Sequence, residues 1–303
     1  MMKIEKCLTD LQLEVIYNDK CIKCGTCGAF CPNIYFDEGE VKYKEQCSET
    51  VGICYNSCPR TILSIPDLDL EIFGQKRENQ ALGVFKKAVK AELKDGSLKD
   101  VTSALLITAL EKQMIDCAVL GDANVEKRVE PVICKNKDEI LSNAGERKGL
   151  GPLVWKAGEA IKQGMEKIAL VGRPCHGQGV AKVLKNEDFL VQQEKIALVI
   201  SHFCLAQGKG CNVCLDYTGE FSDISLNPKT GEMLIRSELG EQLVNIAVAS
   251  GKITTKDIDT SSIEEMATKK KVKNFLKVVA KNNGKIEVDY AKIDINLLKD
   301  MVQ

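Results

Sequence analysis

Hydrophobic and polar positions divide the chain into two textures. Between Cys7 and Cys58 there are few long apolar repeats, and cysteine punctuates the segment instead. Further along, apolar residues recur with regular spacing. ALGVFKKAVKAELK and DVTSALLITALEKQ carry them at helical intervals, whereas CAVLG and RVEPVICK read as strands. GPLVWKAGEAIKQGM predicts another helix and leads into KIALVG, an uninterrupted apolar run of the kind found in buried strands. A second such strand, KIALVIS, covers residues 195–201. This alternation predicts an α/β or mixed α+β core. SIPDLDLEIFG, with its proline and acidic residues, reads as a linker near residues 66–75. From Ile253 the chain turns rich in Lys and Asp. SSIEEMATKKKVKNFLKVVAK is a helix candidate there, and its charge run reads as a solvated face. The expected organisation is a small module over 1–65, a large domain over 76–252 and a charged helical tail over 253–303.

Composition narrows the function classes. A chain of 303 residues can form one large domain and a small appended one. A formal net charge of -1 and 5% aromatic residues argue against nucleic acid and anionic membranes as partners. The start, MMKIEKCLTDLQ, lacks an apolar core of signal-peptide length, and no apolar run is long enough for a membrane span. A cytoplasmic location is expected. The unusual quantity is 14 cysteines. In a reducing compartment, clustered thiols are expected to bind metal rather than to pair as disulfides. The only histidines, His176 and His202, supply mixed Cys/His zinc sites poorly, which leaves sulfur as the main ligand.

CIKCGTCGAFCP places Cys21, Cys24, Cys27 and Cys31 before Pro32, the C-x2-C-x2-C-x3-C-P run of bacterial-type ferredoxins. Closely spaced thiolates wrap one cube while the intervening amides point at its sulfides. CSETVGICYNSCP is a second, incomplete half-motif with Cys47, Cys54 and Cys58 before Pro59. Crossed ligation assigns Cys21, Cys24, Cys27 and Cys58 to one [4Fe–4S] cluster. The other site then has Cys31, Cys47 and Cys54. Either it holds a [3Fe–4S] cluster, or Cys7, Ser48 or Glu49 completes a cube. In the large domain, RPCHGQG puts Cys175 just after one strand, SHFC puts Cys204 at the end of the next, and GKGCNVC supplies Cys211 and Cys214. Strand-end loops of an α/β core collect ligands, so these four thiols suit a third [4Fe–4S] cluster. Cys117 and Cys134 lie in apolar stretches and read as small buried hydrophobes. His202 reads as structural.

GRPCHGQGVAKV, SHFC and GCNVCLDYTGEFSDIS resemble the beta subunits of coenzyme F420 hydrogenases and dehydrogenases, over roughly residues 82–250. The resemblance implies FAD beside one [4Fe–4S] cluster. It also implies electrons entering in pairs from reduced coenzyme F420 and leaving singly to partners such as hydrogenase or formate dehydrogenase. Arg173, His176 and Gly177 are the candidate cofactor contacts, and Asp216 and Glu220 match positions of the family. Three departures stand out: Lys99 and Asp100 replace a Gly-Gly pair, AGERKGLGP lacks a tyrosine, and only LAQGKG separates Cys204 from Cys211. The implied fold is α+β, a ferredoxin-like iron–sulfur module followed by a mixed α/β flavin and cluster domain. The expected activity is an electron-transferring oxidoreductase subunit. A flavin-free conduit that wires two redox enzymes together is the competing reading.

Overall fold

The computed structural model describes residues 6–45, 47, 52–121, 130–145, 150–185 and 193–281. In the N-terminal part, α1 (Leu8–Leu11) runs into a π-helical turn at Gln12–Ile16 and is followed by α2 (Thr26–Ala29). A hairpin of β1 (Ile34–Asp37) and β2 (Glu40–Tyr43) then leads to α3 (Ile53–Ser57). Leu8, Leu11, Val15, Ile34, Phe36 and Tyr55 close a small core around Cys54 and Cys58. Such short elements cannot stand alone, and this core is what fixes them.

The segment expected as a linker is a helix, α4 (Ile65–Phe73). Pro66 sits in its first turn, where a missing N–H costs nothing, and Asp67 complements the helix dipole. Ile65 and Leu68 pack against Ala181, Leu215, Phe221 and Phe275 of the large domain. Each such buried side chain contributes roughly 1.5–3 kcal/mol, so this segment joins the two parts rigidly.

The rest is one sheet with helices on both faces. Its elements in chain order are β3 (Lys87–Leu93), α5 (Val101–Glu111), β4 (Cys117–Gly121), β5 (Pro131–Cys134), α6 (Lys137–Ser142), α7 (Leu153–Lys162), β6 (Ile168–Gly172) and α8 (Pro174–Lys185). They continue with β7 (Leu198–His202), β8 (Ile224–Leu226), β9 (Glu232–Ile235), α9 (Glu238–Ala249), β10 (Ile253–Asp257) and α10 (Ser261–Lys281). The strand order is β10-β3-β9-β8-β7-β6-β4-β5. Pairing is parallel from β4 through β6 and β7 to β8, and antiparallel elsewhere. Strand alternation sends Ala118, Leu120, Ala169 and Val171 toward α5 and α9, and Cys117, Val119, Ile168 and Leu170 toward α7 and α8. Cys117 and Cys134 are fully buried core residues, as their apolar setting suggests.

Two expectations are corrected. ALGVFKKAVKAELK, read at helical spacing, contains strand β3. Its period-two pattern wins because Val89 and Ala91 are buried while Lys90 and Glu92 face out, and Val89 pairs with Met233. The boundary at 252/253 falls inside the sheet, since β10 pairs with β3 along its length from Ile253↔Leu93 to Asp257↔Val89. Among the described residues, no helix is long and apolar enough to cross a membrane.

Candidate functional site

The parallel strands β4, β6 and β7 end on one side of the sheet, and the large domain's thiols gather there. Cys175 sits in the first turn of α8, directly after β6. Cys204 follows the end of β7, its N–H bonded to Tyr217 O at 2.8 Å. A single turn of 3-10 helix at Lys209–Cys211 sets Cys211, and Cys214 N donates back to Cys211 O at 3.1 Å. Burial raises the Cys175 thiol well above its ordinary range, and Cys24, Cys204 and Cys214 add to the rise. Cys211 is likewise raised by burial, with Cys214 and Cys204 adding. Cys175, Cys204 and Cys214 are buried and Cys211 half-buried, and Cys24 of the N-terminal part packs against Cys175.

The first N-terminal set behaves the same way. Burial raises Cys27 well above its ordinary range, followed by the influence of Cys58, Cys24, Cys21 and Cys54. Cys58 is pushed to about 11 by burial, with Cys24 the nearest like charge. Cys54 reaches about 12 through burial, with Cys31, Cys47 and Cys7 contributing. Cys27 packs against the core that holds Cys54, and Cys24 packs with Cys175. No three cysteine, histidine or acidic side chains among the described residues converge as ligands of a single metal ion do. Such ligands stand about 3.8 Å apart around a zinc with bonds of about 2.3 Å, whereas an iron–sulfur cube is a wider object. Ser48 and Glu49, the other candidate ligands, lie outside the described residues.

Backbone amides and fixed cations complete this thiol region. Arg60 N donates to Cys58 Sγ at 3.4 Å, and Ala206 N donates to Cys204 Sγ at 3.4 Å. The buried guanidinium of Arg60 donates to Gly210 O at 3.4 Å and to Gln178 Oε1 at 3.2 Å. It lowers Cys21, Cys24, Cys58, Cys175 and Cys211 alike, so it lies between two thiol sets. Lys182 donates to Cys58 O at 2.7 Å. Burial lowers its pKa to about 8, opposed by Cys58. These cations offset negative charge that a sulfur-ligated cluster would bring into a dry interior.

The tail helix corrects the reading of a solvated charge run. One face of α10 turns inward through Ile263, Ala267, Lys270, Lys271 and Asn274. Lys270 Nζ donates to Cys204 O at 2.7 Å and Asp216 O at 2.6 Å. Asn274 Nδ2 donates to Cys211 O at 3.1 Å and Cys214 O at 2.6 Å. Lys271 pairs with Glu220, which also pairs with Arg77 at 2.5 Å. Asp216 accepts from Gly219 N at 2.7 Å and from Gln178 Nε2 at 3.2 Å, so it orders the loop after Cys214. Sequence reasoning missed the contacts made by α10. The available signal was the i, i+4, i+7, i+11 spacing of Ile263, Ala267, Lys270 and Asn274.

On the far side of the Arg173–His176 turn lies an open cleft with about 570 Å³ of empty space, mouth included. It is walled by the start of α5 (Asp100, Thr102 and Ser103), the ends of β4 and β6, and Gly145, Gly151, Arg173, His176 and His202. His176 is buried. Its Nδ1 accepts from Arg173 N at 2.9 Å and its Nε2 donates to Gly151 O at 2.9 Å. Burial lowers it to about 4, so the ring is neutral and both nitrogens brace the cleft wall. His202, read as merely structural, lines the cleft and bonds Thr102 Oγ1 at 2.9 Å. Arg173 lines it too, donating to Phe203 O at 2.9 Å. Gly177 does not line it: it lies on α8 against the Phe221 carbonyl. Asp100, in place of the expected Gly-Gly pair, caps α5 by accepting from Ser103 N at 2.6 Å. The cleft has the strand-end position where cofactor sites occur. Residues 146–149 of the AGERKGLGP stretch lie outside the described residues.

Comparison with known proteins agrees with this layout. Residues 88–155 match the N-terminal part, and residues 206–261 the C-terminal part, of the family described as coenzyme F420 hydrogenase/dehydrogenase, beta subunit. An uncharacterized protein of Methanocaldococcus jannaschii is 27% identical, covering 89% of this chain and 98% of that protein. A coenzyme F420-dependent sulfite reductase from the same organism is 25% identical, over 81% of this chain and 49% of its own length. The coenzyme F420 hydrogenase subunit beta of Methanococcus voltae is 24% identical, over 69% of this chain and 99% of that subunit. A chain in the structure of the F420-reducing [NiFe] hydrogenase complex from Methanosarcina barkeri superposes with a TM-score of 0.62 at 22% identity. It covers 69% of this chain and 96% of that one. The structural likeness establishes a shared mixed α/β fold.

Proposed function

Since the chain belongs to the coenzyme F420 hydrogenase/dehydrogenase beta-subunit family, we propose that it is an iron–sulfur electron-transfer subunit that links reduced coenzyme F420, or a similar hydride donor, to a partner redox enzyme. The observation that carries this reading is the series of adjoining thiol sets, in which Cys27 neighbours Cys54 and Cys24 neighbours Cys175. A relay needs redox centres in short steps, and clusters held by these adjoining sets would stand in such steps.

The residues present fit these groups. Cys21, Cys24, Cys27 and Cys58 would hold one [4Fe–4S] cluster in a ferredoxin-like module, and Cys31, Cys47 and Cys54 would ligate a second. Cys175, Cys204, Cys211 and Cys214 would hold a third in the large domain. FAD bound at the cleft would supply the conversion between electron pairs and single electrons. Arg173 offers positive charge to an anionic group. His176 keeps its shape without titrating near neutral pH, and the Thr102–His202 pair closes the back wall. Lys270 and Asn274 hold the Cys204–Cys214 loop in place from outside. Hydrogenase, formate dehydrogenase or sulfite reductase units are the kinds of partner this reading implies.

A second reading is a conduit without flavin. The carboxylate of Asp100 at the start of α5 favours it, because that helix end would otherwise attract a phosphate. Anaerobic purification of the full chain, followed by iron, sulfide and flavin analysis and by addition of reduced coenzyme F420, tests both. Iron, sulfide and flavin with bleaching by the reduced deazaflavin support the first reading. Iron and sulfide with no flavin support the second, and a colourless, iron-free protein rejects both.

A further inference from the structure

The N-terminal segment carries a cysteine that the ferredoxin-type motifs leave over. Cys7 precedes α1, and its neighbour Lys6 is stapled to the helix bearing Cys54. Lys6 Nζ donates to Tyr55 OH at 3.2 Å and pairs with Glu14 at 2.6 Å, while Tyr55 OH donates to Glu14 at 2.5 Å. The backbones meet even more closely at Gly52, where a Cβ would collide with the Lys6 carbonyl and stand 3.2 Å from Cys7 Cα. Only a residue without a side chain lets the Lys6–Cys7 segment and the start of α3 approach in this way. Cys7 N, in turn, is held by Asp10 Oδ2 at 2.8 Å, which fixes the turn from which the thiol projects. These contacts tie Cys7 to the start of α3, one helix position before Cys54.

We infer that Cys7 is the fourth ligand of the second N-terminal cluster, which makes that site a [4Fe–4S] centre held by Cys7, Cys31, Cys47 and Cys54. The inference rests on the reading that these thiols hold iron. Cys54 is buried in the small core against which Cys31 and Cys47 also pack, and the Gly52 contact brings the Cys7 backbone to the same helix start, so the four cysteines share one neighbourhood. Each thiol gives its proton to solvent as its sulfur–iron bond forms, and no oxidant or reductant is consumed. The incomplete CSETVGIC half-motif then has a physical explanation. The ligand missing from the middle of the motif is supplied from the other end of the module, and the Lys6–Glu14–Tyr55 triad holds that end in place.

The test uses the full chain, purified without oxygen and reconstituted with iron and sulfide. The parent should give no three-iron resonance when oxidised. Cys7→Ser should lose one iron per chain and gain the nearly isotropic resonance of an oxidised [3Fe–4S] cluster. The reduced-state signals of the other two clusters should persist, which shows that the variant has folded. Gly52→Ala keeps every cysteine but displaces the Lys6–Cys7 backbone, and it should produce the same new resonance. A parent that already shows the three-iron signal, at the intensity of Cys7→Ser, overturns the assignment while leaving the iron–sulfur reading intact. Full iron retention in Gly52→Ala does so as well, even if Cys7→Ser fails to fold. An iron-free parent overturns both.

Discussion

The two sides of the Arg173–His176 turn are built on opposite principles. On one side, buried thiols are packed with fixed cations from three elements: Arg60 after α3, Lys182 on α8 and Lys270 on α10. On the other, a cleft stays open between the start of α5 and the ends of β4 and β6, with His176 kept neutral. A centre that must change charge with little rearrangement needs a rigid, compensated setting. A site that must admit a ligand needs space and an entrance. The shared turn keeps the two within one short step.

The largest effect expected from breaking this contrast comes from its thiol side. Cys175→Ser should remove the large-domain cluster and leave the N-terminal clusters and any flavin, whereas Cys24→Ser should remove one N-terminal cluster and leave the large-domain cluster and any flavin. Iron and sulfide analysis with resonance spectra reads the difference. Full iron content in both variants would dismiss the ligand assignment.

Glu220 comes next, because it anchors α10 to the segment after Cys214 and is 1% exposed between Arg77 and Lys271. Removing one partner of a buried ionic cluster costs roughly 3–5 kcal/mol, so Glu220→Gln should lower thermal stability by that order. Its pH dependence has a definite sign. Burial alone would raise this carboxyl, but Lys271 and Arg77 outweigh it and hold the value at about 2, below the ordinary 4.5. A depressed acid contributes stability that is fully present above the ordinary value and is lost as pH falls through the folded one. Between pH 4.5 and about 2 the parent should therefore lose stability that Glu220→Gln no longer has to lose. Asp69 in the same cluster is raised, chiefly by burial and in part by Glu220, and works in the other direction. Parallel pH profiles for both would count against the assignment.

Asn274→Ala should cost less, roughly 1–3 kcal/mol, by leaving the carbonyls of Cys211 and Cys214 without their donor. The outcome that matters is local: the large-domain cluster should become more labile to chelator while the N-terminal clusters do not. Equal lability everywhere would mean that α10 stabilises the chain without serving the cysteine loop.

These contrasts also explain what was legible in the amino-acid order. The cysteine spacing was visible, because thiols two or three residues apart in CIKCGTCGAFCP stand together locally. Strands β4, β6 and β7 and helices α5 and α7 were visible for a similar reason, since their periodicity is local. The fixed cations were not. Lys270 and Asn274 look like solvated residues until tertiary packing turns α10 onto the 204–214 loop. The same holds for β3, whose Lys, Ala, Glu and Leu favour helix until Met233 and Thr255 pair with it. His202 could not be placed in the cleft without knowing that Thr102, a hundred positions earlier, sits opposite.

The smallest effect belongs to the cleft, and it decides between the two functional readings. Asp100 caps α5, and its carboxylate occupies the helix end where dipole and free N–H groups would otherwise draw a phosphate. Replacement by glycine at a cap costs only a few tenths of a kcal/mol, so Asp100→Gly should barely move the melting temperature. It removes one negative charge from the cleft wall and returns the position to the Gly-Gly character of the family. If FAD binds with its phosphates at this helix, flavin titration by fluorescence should then show a several-fold lower Kd in Asp100→Gly than in the parent. An unchanged Kd in a protein that does bind flavin places the phosphates elsewhere, with Arg173 the next position to substitute. If neither protein binds flavin, removing the carboxylate has not restored a cofactor site, and the cleft side loses its proposed role while the thiol side keeps its own.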